Sequence, residues 1–214
     1  MQTNAKSTRK SAQCGNSPMV FSEIFSPETS IAYWQRPNNS IIQSYFLNVA
    51  KSLSLGHRSV YSATSLSSEL QGVLPDGLGK KQAISDIQLL VDMLTCLFDC
   101  EHVGLRLTAV DKAMCPRLHV DNIPVRLITT YCGAGTQWLP NEFAELAALN
   151  KPKAVNSENG NKDVSAENYI QQLDSFDVAL LKGSAFDSAH AAAIHRSCPV
   201  TENQWRVLLT LDPT

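Results

Sequence analysis

The segment Cys115-Pro-Arg-Leu-His-Val-Asp121 places three chemically capable side chains within a few positions of one another. In an extended strand alternate residues share a face, so Arg117, His119 and Asp121 project together. An imidazole and a carboxylate two positions apart suit adjacent ligation of one metal ion, and a third ligand then comes from elsewhere in the chain. His195, in Ala-Ile-His-Arg-Ser-Cys-Pro, opens a short β-like run after a loop and is the best-placed third ligand. Two histidines and one carboxylate on one side of a metal leave three coordination positions open, a donor set suited to non-haem Fe(II). The plainer alternative is a His119–Asp121 pair satisfying its own hydrogen bonds at a strand end, with His195 as a loop histidine capped by Ser197.

The cysteines offer a second chemistry. Cys115, Cys132 and Cys198 lie in the same segments as these residues, and Cys198 is three positions from His195. A mixed His/Cys/Asp zinc site is therefore an alternative, because thiolate and imidazole both suit zinc. Cys96 and Cys100 share one side of an apolar helical segment and are expected to be core thiols. His102 and His190 have no partner at a telling spacing. Neither Gly77-Leu-Gly79 nor Gly133-Ala-Gly135 opens a phosphate loop, and no Gly-x-Ser-x-Gly nucleophile elbow is present.

The elements that must hold these residues fall into two textures. Ile41, Ile42, Tyr45, Phe46, Val49 and Leu53 recur at helical spacing after a turn at Arg36-Pro37-Asn38-Asn39, and Gly56 stands where a C-terminal cap would. Ile84, Ile87, Leu90, Val91, Leu94, Leu97 and Phe98 form a wider apolar face, with Gly77 and Gly79 as punctuation ahead of it. Beyond Cys100 the chain changes to short β-rich runs at 103–109, 117–121, 125–132, 178–182 and 206–211, separated by turn residues. The stretch 141–175 is polar and reads as a loop or lid across the β unit, its middle at 156–161. Residues 1–18 read as a flexible tail and 19–214 as one domain, with 19–101 helical and 102–214 forming the β core.

Composition bounds the partners. The 214 residues are 43% hydrophobic and 18% charged, which allows a sizeable core and argues against global disorder. Eighteen Lys and Arg stand against twenty Asp and Glu, for a net charge of -2, so no nucleic-acid partner and no anionic membrane partner is expected. No apolar run approaches a bilayer span, and the basic, polar start lacks the apolar stretch of a secretory signal. The six cysteines are then expected as reduced thiols in a cytoplasmic protein. Oligomeric state has no signature.

The ordered set of residues resembles the 2-oxoglutarate and Fe(II)-dependent oxygenases. His119-Val-Asp121 matches that superfamily's early His-x-Asp pair, His195 its distal histidine, and Arg206, eleven residues on, the basic residue that holds the 2-oxoglutarate tail. Arg126-Leu-Ile-Thr-Thr-Tyr131 looks like the strand after the pair, Gly133-Ala-Gly-Thr136 like the next turn, and 177–183 like the strand and turn before the distal histidine. The likeness covers roughly 103–212. It departs from the pattern at Arg196, directly after His195, which competes with Arg206; an adjacent strand residue points to the opposite face, which favours Arg206. The whole chain also resembles a bacterial family whose activity is not established, through Cys-Pro-Arg-Leu-His-Val-Asp, Thr-Tyr-Cys-Gly-Ala-Gly-Thr-Gln-Trp-Leu and Leu-Leu-Lys-Gly.

The superfamily likeness implies an α+β architecture with a mainly β core. That core would be a double-stranded β-helix, a cupin-like jelly roll, with the N-terminal helices packed outside. It implies Fe(II) on His119, Asp121 and His195, 2-oxoglutarate held partly by Arg206, and oxidation of a small-molecule or other unidentified substrate. Tyr131 could give its hydroxyl to a bound carboxylate, and Arg117 could meet a substrate anion. The runner-up is a non-catalytic cupin-like protein holding zinc or another divalent metal.

Overall fold

A computed structural model describes residues 11–149, 165–187, 191–200 and 204–214. The two expected helices form for local reasons. Helix α1, Ser40–Val49, starts where the Asn39 side chain accepts hydrogen bonds from the Ile41 and Ile42 amides, which satisfies two otherwise orphaned donors. It buries Ile42, Tyr45, Phe46 and Val49. A shorter helix, α2, spans Leu66–Val73. Helix α3, Lys80–Phe98, buries Ala83, Ile84, Ile87, Leu90, Val91 and Leu94, each large apolar side chain contributing about 1.5–3 kcal/mol. Gly79 precedes it at φ +96°, and a Cβ there would stand 2.8 Å from the Ile41 carbonyl, so glycine lets α3 start against α1.

The strands are β1 (Ala12–Gly15), β2 (Ile31–Trp34), β3 (His57–Ser62), β4 (His102–Val110), β5 (Val125–Cys132), β6 (Gln137–Leu139), β7 (Gln171–Gln172), β8 (Val178–Lys182), β9 (Ile194–Arg196) and β10 (Arg206–Pro213). Seven build a major sheet in the order β1-β2-β8-β5-β10-β4-β3, and three build a minor sheet in the order β7-β6-β9. Pairing is antiparallel except for β1 on β2.

Side-chain alternation gives the major sheet two covered faces. Leu105, Leu107, Leu127, Leu180, Val207 and Leu209 join the core beneath α1 and α3. On the other face Ile128, Ala179, Leu181 and Leu208 pack with Trp138, Leu173 and Ala193 from the minor-sheet side. The result is an α+β fold with a double-stranded β-helix core and the N-terminal helices outside it. Among the described residues no helix is long and apolar enough to cross a membrane.

Several expectations need correction. Residues 12–15, read as part of a tail, form β1 and pair in parallel with β2. The stretch 19–101, read as helical, supplies two strands of the major sheet: β2 pairs with β8, and β3 closes the far edge on β4. These strands have only four and six residues, too short for periodicity to announce, and their partners lie far along the chain. The run 117–121 is not a strand but a single antiparallel bridge at His119. Pro116 and Pro124 flank it and donate no amide hydrogen bonds. Segment 141–175 contributes a turn at Asn141–Phe143, the helix α4 (Ala144–Leu149), a turn at Ala166–Tyr169 and β7, while 156–161 lies outside the described residues. Cys96, expected in the core, is exposed, and Cys100 is half-buried.

Candidate metal centre

His119 and His195 face each other across that bridge. Each backbone amide donates to the other's carbonyl, at 3.0 and 2.9 Å. A residue pair that exchanges both bonds is fixed in relative position, so the two imidazoles lie side by side with centroids 4.5 Å apart. The ring orientations are also held. His119 Nδ1 lies 2.9 Å from the Arg117 carbonyl, and His195 Nδ1 lies 3.1 Å from the Ala193 carbonyl. A carbonyl only accepts, so in both rings Nδ1 carries the proton and Nε2 keeps its lone pair.

Both Nε2 atoms point at Asp121, at 3.6 Å from Oδ1 for His119 and 3.6 Å from Oδ2 for His195. One donor atom from each of the three residues lies within 4.8 Å of the others. The spacing is too long for good hydrogen bonds and suits three donors around one ion. The tautomers, the carboxylate and the separations all fit a divalent metal. Electrostatics agree: burial lowers the His195 pKa, which keeps it neutral and able to ligate. The Asp121 carboxylate raises His119 against its partial burial. Burial pushes the Asp121 carboxyl up, yet His119 and Arg126 beside it hold it below the usual carboxylate range.

Asp121 is held from two sides. Arg126 donates from Nη1 to Asp121 Oδ2 at 2.7 Å, and its Nε and Nη2 grip the Asp212 carboxylate, each at 2.7 Å. The main chain of 121–124 is clamped by 183–185. Ser184 donates to the Asp121 carbonyl at 2.8 Å, Gly183 to Pro124 at 2.8 Å, and Ala185 to Ile123 at 3.2 Å. A Cβ on Gly183 would overlap the Ile123 carbonyl, so only glycine permits this approach.

The histidines open onto a cleft of about 220 Å³ between the two sheets, bordered also by Thr136, Ile128, Leu208 and Arg126. Arg206 is 1% exposed and lies behind Thr136. Its Nε donates to the Ala134 carbonyl at 2.8 Å, and its Nη2 donates to Thr136 Oγ1 at 2.9 Å and Thr130 Oγ1 at 3.2 Å. Thr136, which this guanidinium touches, borders the cleft and stands two residues before Trp138, the cross-strand partner of His195. Arg196 is committed elsewhere. Its two terminal nitrogens grip Glu167 at 2.7 and 2.6 Å, and its Nε donates to Gln137 at 2.8 Å.

Two expected site residues fall outside the cleft. Tyr131 is fully buried on the helix side of the sheet, where its ring stacks on Phe46 and its hydroxyl donates to Asp86 of α3 at 2.8 Å. Alternation along β5 accounts for this: Arg126, Ile128 and Thr130 face the cleft side, so Val125, Leu127 and Tyr131 face the helices, and the extra residue where Val207 pairs with Cys132 and Leu208 with Thr130 turns Cys132 to the helix side as well. Arg117 has an exposed side chain, and its carbonyl rather than its guanidinium serves the site. Asp212 pairs with Arg126, and His190 lies outside the described residues. Among the described residues the metal cluster contains no cysteine, and Cys198 donates to the Ala134 carbonyl at 3.1 Å. Arg126 carried a signal that sequence reading passed over: a cation five residues beyond the carboxylate, on the strand that follows it.

The fold is similar to that of solved dioxygenases at low sequence identity. The dioxygenase for auxin oxidation 1 from Arabidopsis thaliana, in a 2-oxoglutarate complex, superposes with a TM-score of 0.51 at 9% identity, over 95% of this chain and 92% of that one. The dioxygenase for auxin oxidation from rice gives 0.50 at 8% identity, over 94% and 82%. Within that fold the chain belongs to the family described as "Protein of unknown function (DUF1826)", whose sequence model matches residues 15–212. Among curated proteins, none matches it by sequence.

Proposed function

We propose that this chain is a non-haem Fe(II)- and 2-oxoglutarate-dependent oxygenase acting on a small molecule. The observation that carries the reading is the pair of histidines whose Nδ1 protons are spent on backbone carbonyls, leaving two Nε2 lone pairs and one carboxylate turned to a common point. Fe(II), when bound there with its cosubstrate, supplies the oxidising chemistry. His119, His195 and Asp121 hold it, and Arg126 keeps the carboxylate ionised and aimed. Arg206 is the cation assigned to the far carboxylate of 2-oxoglutarate. Its Nε and Nη2 are held by Ala134, Thr130 and Thr136, which fixes the plane of the group, and Nη1 is the nitrogen left to meet the carboxylate. Ile128 and Leu208 give this end of the cleft apolar walls that limit water. The six free cysteines suit a reducing compartment, and we place the protein in the cytoplasm.

The test is anaerobic addition of Fe(II) and then 2-oxoglutarate to metal-stripped protein, following the weak visible charge-transfer band of the chelate. The band is expected in the wild type and absent in His119→Ala with circular dichroism unchanged. Stoichiometric metal binding without the band rejects the oxygenase and leaves a metal-binding accessory protein. No metal binding rejects both.

A further inference from the structure

Farther along the cleft, Arg58 of β3 stands directly opposite Arg106 of β4 in the antiparallel register, and both border the cavity. Like charges facing each other across neighbouring strands destabilise a sheet. One charge on the edge strand β3 would be enough to discourage edge-to-edge pairing, so that need does not explain the second. Both side chains are exposed, and among the described residues neither meets a carboxylate. Among the described residues the Arg106 guanidinium reaches only the Met114 sulfur, at 4.0 Å, and the Arg58 side chain makes no hydrogen bond or ion pair.

The nearby acids are already engaged. Asp121 and Asp212 are held by Arg126, and Glu167 by Arg196. Of the arginines around the cleft, only Arg58, Arg106 and the buried Arg206 lack an acid partner among the described residues. The chain as a whole carries a net charge of -2, so this surplus does not follow from a basic composition. The cosubstrate accounts for Arg206 and leaves two cations facing open space.

We propose that Arg58 and Arg106 form a subsite for an oxyanion, a carboxylate or a phosphate, carried by the substrate to be oxidised. The proposal rests on the oxygenase reading for what happens at the other end of that molecule. The register across the sheet runs Arg58, Arg106, Thr210, Ile128. With strands about 4.8 Å apart, Arg106 is about 10 Å and Arg58 about 14 Å from Ile128 along the sheet. Ile128 is two residues from Arg126, which touches Asp121, so a substrate anchored by its anion can extend along the cleft toward the metal ligands. Gly104, two residues from Arg106 on the same side of β4, also borders the cleft, and a Cβ there would make ordinary contact with the Asp212 carbonyl at 3.7 Å. Paired guanidinium forks suit the several acceptor oxygens of a carboxylate or phosphate.

The experiment uses the full chain loaded with diamagnetic zinc and saturated with 2-oxoglutarate, titrated separately with methyl phosphate and acetate. Binding is followed by NMR of the arginine Nε–H signals, assigned with Arg58→Gln and Arg106→Gln. At least one anion is expected to shift both signals saturably, and each substitution is expected to weaken that binding about tenfold. Gly104→Val is expected to impair binding with both arginines present. Preference for methyl phosphate identifies a phosphate-bearing substrate, and preference for acetate a carboxylate-bearing one. Failure of both anions to move the signals at millimolar concentration overturns the proposal, as does unchanged affinity in the two glutamine variants.

The Fe(II)/2-oxoglutarate band, measured in the same variants, separates the two readings. It is expected to persist in both glutamine variants. Its loss there would assign the pair to the cosubstrate and overturn the proposal. Its absence from the wild type alongside intact anion binding would sink the oxygenase reading alone.

Discussion

Arg126 touches Asp121 through a single nitrogen, Nη1 to Oδ2 at 2.7 Å, while its other two donors remain fixed on Asp212. The arginine is therefore immobile before it meets the metal-binding carboxylate, and it occupies only one of that carboxylate's oxygens. Oδ1 accepts no hydrogen bond among the described residues and is the oxygen left free to ligate. Partners of this kind orient a ligand and set its basicity. Arg126→Gln is expected to weaken Fe(II) binding about 10- to 100-fold with the fold retained, as read by competition with a chelator. Asp212→Asn should have the same sign and a smaller effect, since it loosens the arginine without removing it. Unchanged affinity in both would remove Arg126 from the site.

Arg206 and Arg196 make opposite predictions. Arg206→Lys keeps a cation behind Thr136 but loses the planar group held by Ala134, Thr130 and Thr136, and should raise the 2-oxoglutarate dissociation constant about tenfold or more while metal binding stays intact. Arg196→Gln breaks the grip on Glu167 and should leave cosubstrate affinity within twofold, roughly. Titration of the visible band in each variant decides between them, and the reverse result would move the anchor to Arg196.

Tyr131→Phe should destabilise the protein without touching the site. The hydroxyl donates to Asp86, which also receives Arg36 at 2.7 Å, so its removal takes one donor from a part-buried carboxylate. The expected cost is about 1–3 kcal/mol in urea unfolding, with no change in cosubstrate binding. A rise in the 2-oxoglutarate dissociation constant would return Tyr131 to the cleft.

Lys182 gives stability a pH dependence with a defined sign. Its ammonium is buried, donates to the Ser26 carbonyl at 2.6 Å, and lies 4.9 Å from the centre of the Phe186 ring. Burial lowers its pKa from 10.5 to about 8. Between those values the unfolded chain still holds a proton that the folded chain has released, so this group makes stability rise with pH from about 8 to 10.5. Below 8 the folded protein carries the whole cost of a buried charge. Lys182→Met should lower the slope of unfolding free energy between pH 8 and 10. Equal slopes in the two proteins would show that the lysine titrates normally.

The sequence by itself determined what depends on neighbours along the chain. The faces of α1 and α3, the strands at 125–132, 178–182 and 206–211, and the His-x-Asp spacing follow from periodicity and from residue types a few positions apart. Gly79 was visible as punctuation, although the Ile41 carbonyl that requires it was not. The distal His195 could be proposed from order and spacing, but its contact with His119 needed a bridge between segments far apart.

Tertiary structure alone decided the rest, because strand register is a relation between segments and no single segment encodes it. Register brought Cys132 to the core beside Tyr131 through one extra residue in β5, set Asp212 against Arg126, and set Arg58 against Arg106. It also made strands of residues 12–15 and 31–34, whose few side chains gain their stability from pairing with partners already in place. A one-residue shift in any of these pairings would exchange the two faces of a strand and build a different cleft from the same residues.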